Sequence, residues 1–133
     1  MDHLNIIDCQ LESLTSFVDY ASNFKILSKE ECNDLIYEYR DNSTSAHQKI
    51  LDHHLNLIIA VAESFGPQTE KLPDRINAGI IGFLKALEKF DTKRGYQLAT
   101  YSTFWIARMI EINTGERSPE GYGLHDETNT NIS

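Results

Sequence analysis

Cysteine is scarce: Cys9 and Cys32 are the two in the chain, and neither stands in a CxxC pair. That excludes a disulfide framework, and both read as small apolar residues. Long apolar runs are missing as well. The stretch LNLIIAVA at 55–62 falls far short of the roughly 20 residues that a membrane span requires. The opening MDHLNIIDCQ carries acids where a secretory leader would be basic, and no small-residue cleavage site follows, so a cytoplasmic protein is expected. No GxSxG, Walker A or GxGxxG sequence occurs, and no pair of carboxylates sits in a setting suited to acid–base work. His53 and His54 are neighbours on an expected helix and point about 100° apart, whereas a metal-binding pair needs i, i+4 spacing. The expectation is a protein that is not an enzyme and uses no metal or cofactor.

Basic charge is the remaining scarcity. Lys and Arg number 12 against 20 Asp and Glu, a net charge of −8. Taken evenly, that would disfavour a polyanionic partner. The charge is not even. Residues 1–70 carry net −8, residues 71–117 net +3, and residues 118–133 net −3. Positive charge is concentrated in one segment, as a nucleic-acid surface would need.

At 41% hydrophobic residues, the chain can bury a core, and its periodicity is helical. Ser28 and Glu31 in SKEE fit a capping box opening a helix to about Arg40. Asn42 or Ser43 offers the next N-cap, before one long helix from about Ser45 to Phe65. There Ile50, Leu51, Leu55, Ile58, Ile59, Ala62 and Phe65 form one stripe, and Gly66–Pro67 ends it. A third helix runs from near Pro73 to Phe90, with Ile76, Ile80, Phe83, Leu84 and Leu87 as its apolar face. A fourth spans about Thr100 to Asn113 and stops at Gly115. A weaker helical pattern covers 4–21, and no strand pattern is convincing. These readings give an all-α, compact helical bundle over 1–117. The polar segment 118–133, rich in turn formers, reads as a disordered tail.

The informative stretch is YQLATYSTFW at 96–105, which follows the charged turn DTKRG at 91–95. Tyr101, Phe104, Trp105 and Arg108 lie at i, i+3, i+4 and i+7 and share one helix face. Ile106, Met109, Ile110 and Ile112 extend around the other side and can pack inward. On spacing alone the rings could be core, or they could stack on unpaired bases while Lys93 and Arg94 hold phosphates.

Residues 82–110, GFLKALEKFDTKRGYQLATYSTFWIARMI, closely resemble the second conserved domain of bacterial sigma-70 family RNA polymerase sigma factors. The upstream stretch 26–65 is similar to the segment leading into that domain, so the likeness runs collinearly over about 20–112. It implies a helical fold that binds core RNA polymerase through the β′ clamp coiled coil and opens the promoter −10 element by capturing single-stranded bases. Carried over by position, Tyr101, Phe104 and Trp105 match the stacking aromatics and Thr100 the family threonine. Lys93 and Arg94 match the basic turn, and Asp74 the clamp-binding acid. The family's later domains are expected to be absent. An anti-sigma or other regulatory protein is a further partner of the kind the family implies.

The departures are specific. Asn77–Ala78 replaces Gln–Glu on the polymerase-binding face, and Arg108 stands where Gln often reads the −10 sequence. Leu98 replaces an aromatic. Asn56, Ala107 and Ile112 replace arginines, Glu63–Ser64 replaces a commonly basic pair, and Glu111 would repel a phosphate backbone. These losses support an alternative, a polymerase-binding regulator or decoy that opens no DNA.

Overall fold

The computed structural model describes residues 13–119, and what was expected of 4–12 and 120–133 lies outside them. Residues 13–21 are helical (α1). There follow α2 (Lys29–Arg40), α3 (Thr44–Asp52), α4 (Leu55–Ser64), a 3-10 turn (Thr69–Lys71), α5 (Leu72–Lys89) and α6 (Leu98–Thr114). The described residues are all-α, and none of their helices is long and apolar enough to cross a membrane.

Local chemistry sets the helix ends. The Ser28 hydroxyl accepts from the Glu31 amide at 3.1 Å, and Glu31 accepts from the Ser28 amide at 3.0 Å, closing the expected capping box. Lys25, 2.8 Å from Glu31, is the main cause that lowers the Glu31 carboxyl to about 2, with the Ser28 amide assisting. Ser43 caps α3 by accepting from the Ala46 amide, and Asn42 before it takes a positive φ of 68°. Gly66 (φ 146°) turns the chain after α4, and Gly115 (φ 73°) after α6. These are left-handed conformations that cost glycine little.

Among the helix boundaries one expectation fails. The single helix over 45–65 is two, broken at His53–His54 with neither glycine nor proline present. The His54 amide bonds to the Leu51 carbonyl at 2.9 Å, leaving the Ile50 carbonyl without its helical donor. The His54 ring donates to that carbonyl from Nδ1 at 2.7 Å, so a side chain replaces a backbone donor at the break. His54 then lies buried against Phe83, ring centres 4.8 Å apart, and burial holds its pKa below the usual value. His53 is held from Nδ1 to the Lys25 carbonyl at 2.8 Å. The apolar stripe survives the break: Ile50, Leu55, Ile58, Ile59 and Ala62 are core, while Leu51 and Phe65 pack at its edge.

The core lies among α4, α5 and α6. From α5, Ile76, Phe83 and Leu87 are buried, with Ile80 and Leu84 half-buried beside them. From α6 come Leu98, Ile106, Ala107 and Ile110. Cys32 is buried as a small hydrophobe, which pushes its thiol up to about 11.

Where α5 crosses α6 the backbones touch. A Cβ on Gly82 would sit 2.5 Å from the Trp105 carbonyl oxygen and 2.8 Å from the Ile106 Cα. On Gly79 it would lie 2.9 Å from a methyl of Ile58. The clash at Gly82 is with main chain, which cannot swing aside, so Gly82→Ala should destabilise by about 1–3 kcal/mol. Urea melts read this, and a midpoint equal to wild type would contradict the close crossing.

Candidate nucleic-acid interface

The site is built on the turn between α5 and α6. Asp91 folds it: its carboxylate accepts from the Lys93 amide at 2.9 Å, its carbonyl from the Arg94 amide at 3.1 Å. This Asx turn leaves the Lys93 and Arg94 side chains exposed. Arg94 keeps a loose contact to Asp91 at 3.6 Å. Helix α2 braces the turn. Arg40 donates to the Phe90 carbonyl, and the Tyr37 hydroxyl lies 3.0 Å from that of Thr92.

Three rings meet beside this turn. Phe90 is buried, Tyr96 is 40% exposed, and Tyr101 lies between, with ring centres 5.7 to 5.9 Å apart. Tyr96 and Tyr101 are stacked, their planes 20° apart. Sequence reasoning missed Tyr96, because it precedes the helix and falls outside the i, i+3, i+4 pattern. Its place directly after Gly95, in the loop that feeds Tyr101, is the signal that was available.

On α6 the structure divides the expected face. Phe104 is 36% exposed, and Thr100 and Arg108 are exposed, but Trp105 is only 6% exposed. Neighbouring positions differ by about 100° around a helix, and the inward arc here contains Ser102, Trp105, Ile106 and Ile110. Trp105 is therefore drawn toward the α5 crossing, with the Lys89 ammonium 6.0 Å from its ring centre. Its expected role as an exposed stacking ring is corrected to a buried one. Ile112, expected to pack inward, is 59% exposed, about 200° around the helix from Ile110. Met109 is half-buried.

Glu111 is also corrected. It turns back to accept from the Ser118 amide at 2.7 Å and the Ser118 hydroxyl at 2.6 Å. Arg108 lies 3.8 Å from its other oxygen. Its charge is engaged within the protein rather than presented outward. Ser118, which composition assigns to the tail, is buried by the same contacts.

A second surface lies across α5. A groove of about 530 Å³ is lined by Lys71, Asp74, Asn77, Ala78, Ile81 and the end of α6. Asp74 and Asn77 are exposed, whereas Ala78 is buried and forms the floor rather than the rim. Behind it sits Arg75, wholly buried, which sequence reasoning missed. Arg75 grips Glu116 with two hydrogen bonds at 2.8 and 2.6 Å, and donates to the Gly66 carbonyl and the Gln68 side chain at 3.0 Å each. Glu116 raises the Arg75 pKa further, and Arg75 in turn holds the Glu116 carboxyl below its usual range. The available signal was register, since Arg75 shares an i, i+4, i+7 row with Gly79 and Gly82.

Residues 50–111 match the family described as Sigma-70 region 2. The chain is 35% identical over 85 residues to the RNA polymerase sigma factor SigA of Clostridium acetobutylicum, aligning 64% of this chain with 22% of that protein. It is 32% identical over 110 residues to the RNA polymerase sigma factor RpoD of Neisseria gonorrhoeae, aligning 81% of this chain with 17% of that protein. The chain thus spans about a fifth of the length of these curated relatives.

Proposed function

We propose, on the premise that this chain belongs to the sigma-70 family through its region 2, that it acts in transcription initiation by binding core RNA polymerase and capturing unpaired bases of the promoter −10 element. The observation that carries this reading is the exposed Tyr96 ring stacked on a half-buried Tyr101 that packs against the core, beside the exposed Lys93 and Arg94. A base leaving the duplex loses its stacking neighbours, and an aromatic surface replaces them at roughly 1–3 kcal/mol per base. Phe104, one turn along α6, offers a second ring to the same strand. Lys93 and Arg94 hold phosphates and fix the strand's register without reading its sequence, and Arg108 is the donor facing the bases. No covalent bond changes; the melted strand is stabilised by binding alone.

Polymerase association belongs to the other surface. Asp74 and Asn77 stand on the rim of the α5 groove, where a β′ clamp helix bearing cations and amides would find complementary groups. Asp74→Arg should abolish pull-down by purified core polymerase while changing stability by only about 0.3–1 kcal/mol, since the residue is exposed at a helix start. Undiminished pull-down would remove this placement.

The test of the whole reading is that pull-down followed by binding of a fluorescent −10 single strand to the complex. Tyr101→Ala or Phe104→Ala should weaken strand binding and leave polymerase association intact. The decoy reading has one observation in its favour: Arg108 is the single basic residue of α6, and it faces Glu111. Strand affinity unchanged in both variants would establish that reading instead.

A further inference from the structure

The break between α3 and α4 is also where the front of the described chain is fastened to the bundle. The Tyr20 hydroxyl donates to the Asp52 carboxylate at 2.9 Å. The His53 ring donates to the Lys25 carbonyl at 2.8 Å and meets Phe24 edge-on, ring centres 5.3 Å apart. The Asn56 amide donates to the Ala21 carbonyl at 3.1 Å. The end of α1 and the linker after it thus hang on the conformation of this joint.

That conformation depends on one ring. His54 holds the Ile50 carbonyl from Nδ1, which fixes a proton there and leaves Nε2 an acceptor. Nε2 has no partner among the described residues. It is not sealed in either, because none of their fully buried side-chain nitrogens or oxygens lacks a partner. His54 lines a cavity of about 310 Å³ together with Phe24, Leu27, Cys32 and Leu98.

The groups around the ring offer nothing to hold a second proton. Phe83 covers it from α5, Cys32 faces the cavity from α2, and Gln97, Leu98 and Ala99 face it from the start of α6. Among the described residues, no carboxylate lines the cavity. Asp52, two positions back, is buried and taken up by Tyr20 and by the Gln48 amide at 2.8 Å. The Lys25 ammonium is paired with Glu31, and His53 would repel a charged neighbour. A proton on Nε2 would therefore put an unpaired charge in an apolar setting.

We infer that His54 is a proton-operated latch: its neutral ring closes the α3–α4 joint, and protonation opens the joint and frees residues 20–27 from it. The device does not depend on the function proposed above, whose surfaces lie on α5 and α6. Burial holds the closed ring below the ordinary histidine value of about 6.5. The open ring takes its proton near that ordinary value. Closure is therefore complete above it and weakens as pH falls from there to the lowered closed-state value.

Nuclear magnetic resonance of the ring nitrogens in the full chain should show the Nδ1–H tautomer of His54 at neutral pH and titration below the ordinary histidine value. The consequence is read at Cys32, which lines the same cavity, with Cys9→Ser in the background so that one thiol reports. Labelling by dithiodipyridine is followed from mildly alkaline to mildly acidic pH. Each rate is divided by that of the same variant unfolded in urea, which removes the thiol's own pH dependence. As pH falls through the His54 titration, labelling should accelerate about tenfold for each pH unit between the open-state and closed-state titrations of the ring. His53→Gln should keep this step. His54→Gln, an amide that cannot titrate, should lose it, and hydrogen exchange of the α5 and α6 amides should not change across it. A step that survives in His54→Gln, or an Nε2–H tautomer in wild type, would overturn the latch. So would faster exchange throughout α5 and α6 at the same pH, since the acid event would then be global unfolding. Should His54→Gln fail to fold, wild type alone decides: a labelling step displaced from the ring's own titration would overturn the proposal.

Discussion

Arg75→Ala should lower the unfolding free energy by about 3–5 kcal/mol, the largest loss expected from any single charge removal here. The guanidinium is 0% exposed and makes four hydrogen bonds that join the start of α5, the turn after α4 and the segment after α6. Removing it empties a fully buried position and takes from the Glu116 carboxylate, the Gly66 carbonyl and the Gln68 side chain the donor they share, leaving Glu116 only the Lys71 cation at 3.9 Å among the described residues. Urea denaturation of wild type, Arg75→Ala, Glu116→Gln and the double variant measures the coupling. The double variant should be markedly more stable than the sum of the two single losses implies, and simple additivity would show that the pair does not act as one unit. A pH series adds a sign. Arg75 lowers the Glu116 pKa in the folded state, so this contribution is present in full above the ordinary carboxylate range. It is lost as pH falls through the lowered folded value. Glu116→Gln should therefore lose less stability on acidification than wild type.

Trp105→Ala should cost about 3–5 kcal/mol, as expected for a large core aromatic, whereas Phe104→Ala, a surface change, should stay within about 0.5 kcal/mol. The two rings are adjacent in sequence and differ in exposure, 6% against 36%. Weaker strand binding by Trp105→Ala would therefore mix unfolding with lost contact. Phe104→Ala is the informative probe, and Tyr101→Ala needs a melt beside it because that ring is half-buried against the core. Thermal melts decide the point: a Trp105→Ala protein as stable as wild type would show that burial is not what fixes that ring.

Much of the fold was legible because helix periodicity and capping are local. SKEE closes the capping box it spells, and Gly66 and Gly115 end helices where their freedom at positive φ is needed. The break at His53–His54 was not legible. The apolar stripe runs through it unchanged, and the cause is one ring replacing one backbone donor, which no pattern of apolar residues records. On α6, i, i+3, i+4 spacing put Tyr101, Phe104, Trp105 and Arg108 on one arc, of which Phe104 and Arg108 are exposed and Tyr101 is half-buried. It could not say which edge of the arc would face α5, and Trp105 lies at that edge. Arg75 escaped for a related reason: its partner Glu116 is 41 positions away, beyond the reach of any local rule.

The contact at Gly82 has a mechanical consequence. Helix α5 carries the groove rim and α6 carries the rings, and at their crossing no layer of side chains lies between the two main chains. Side chains can absorb a displacement by changing rotamer, but peptide planes in contact cannot, and close-packed interiors pass strain on. The register of α6 on α5 is therefore set by main-chain contact, with little freedom to slide.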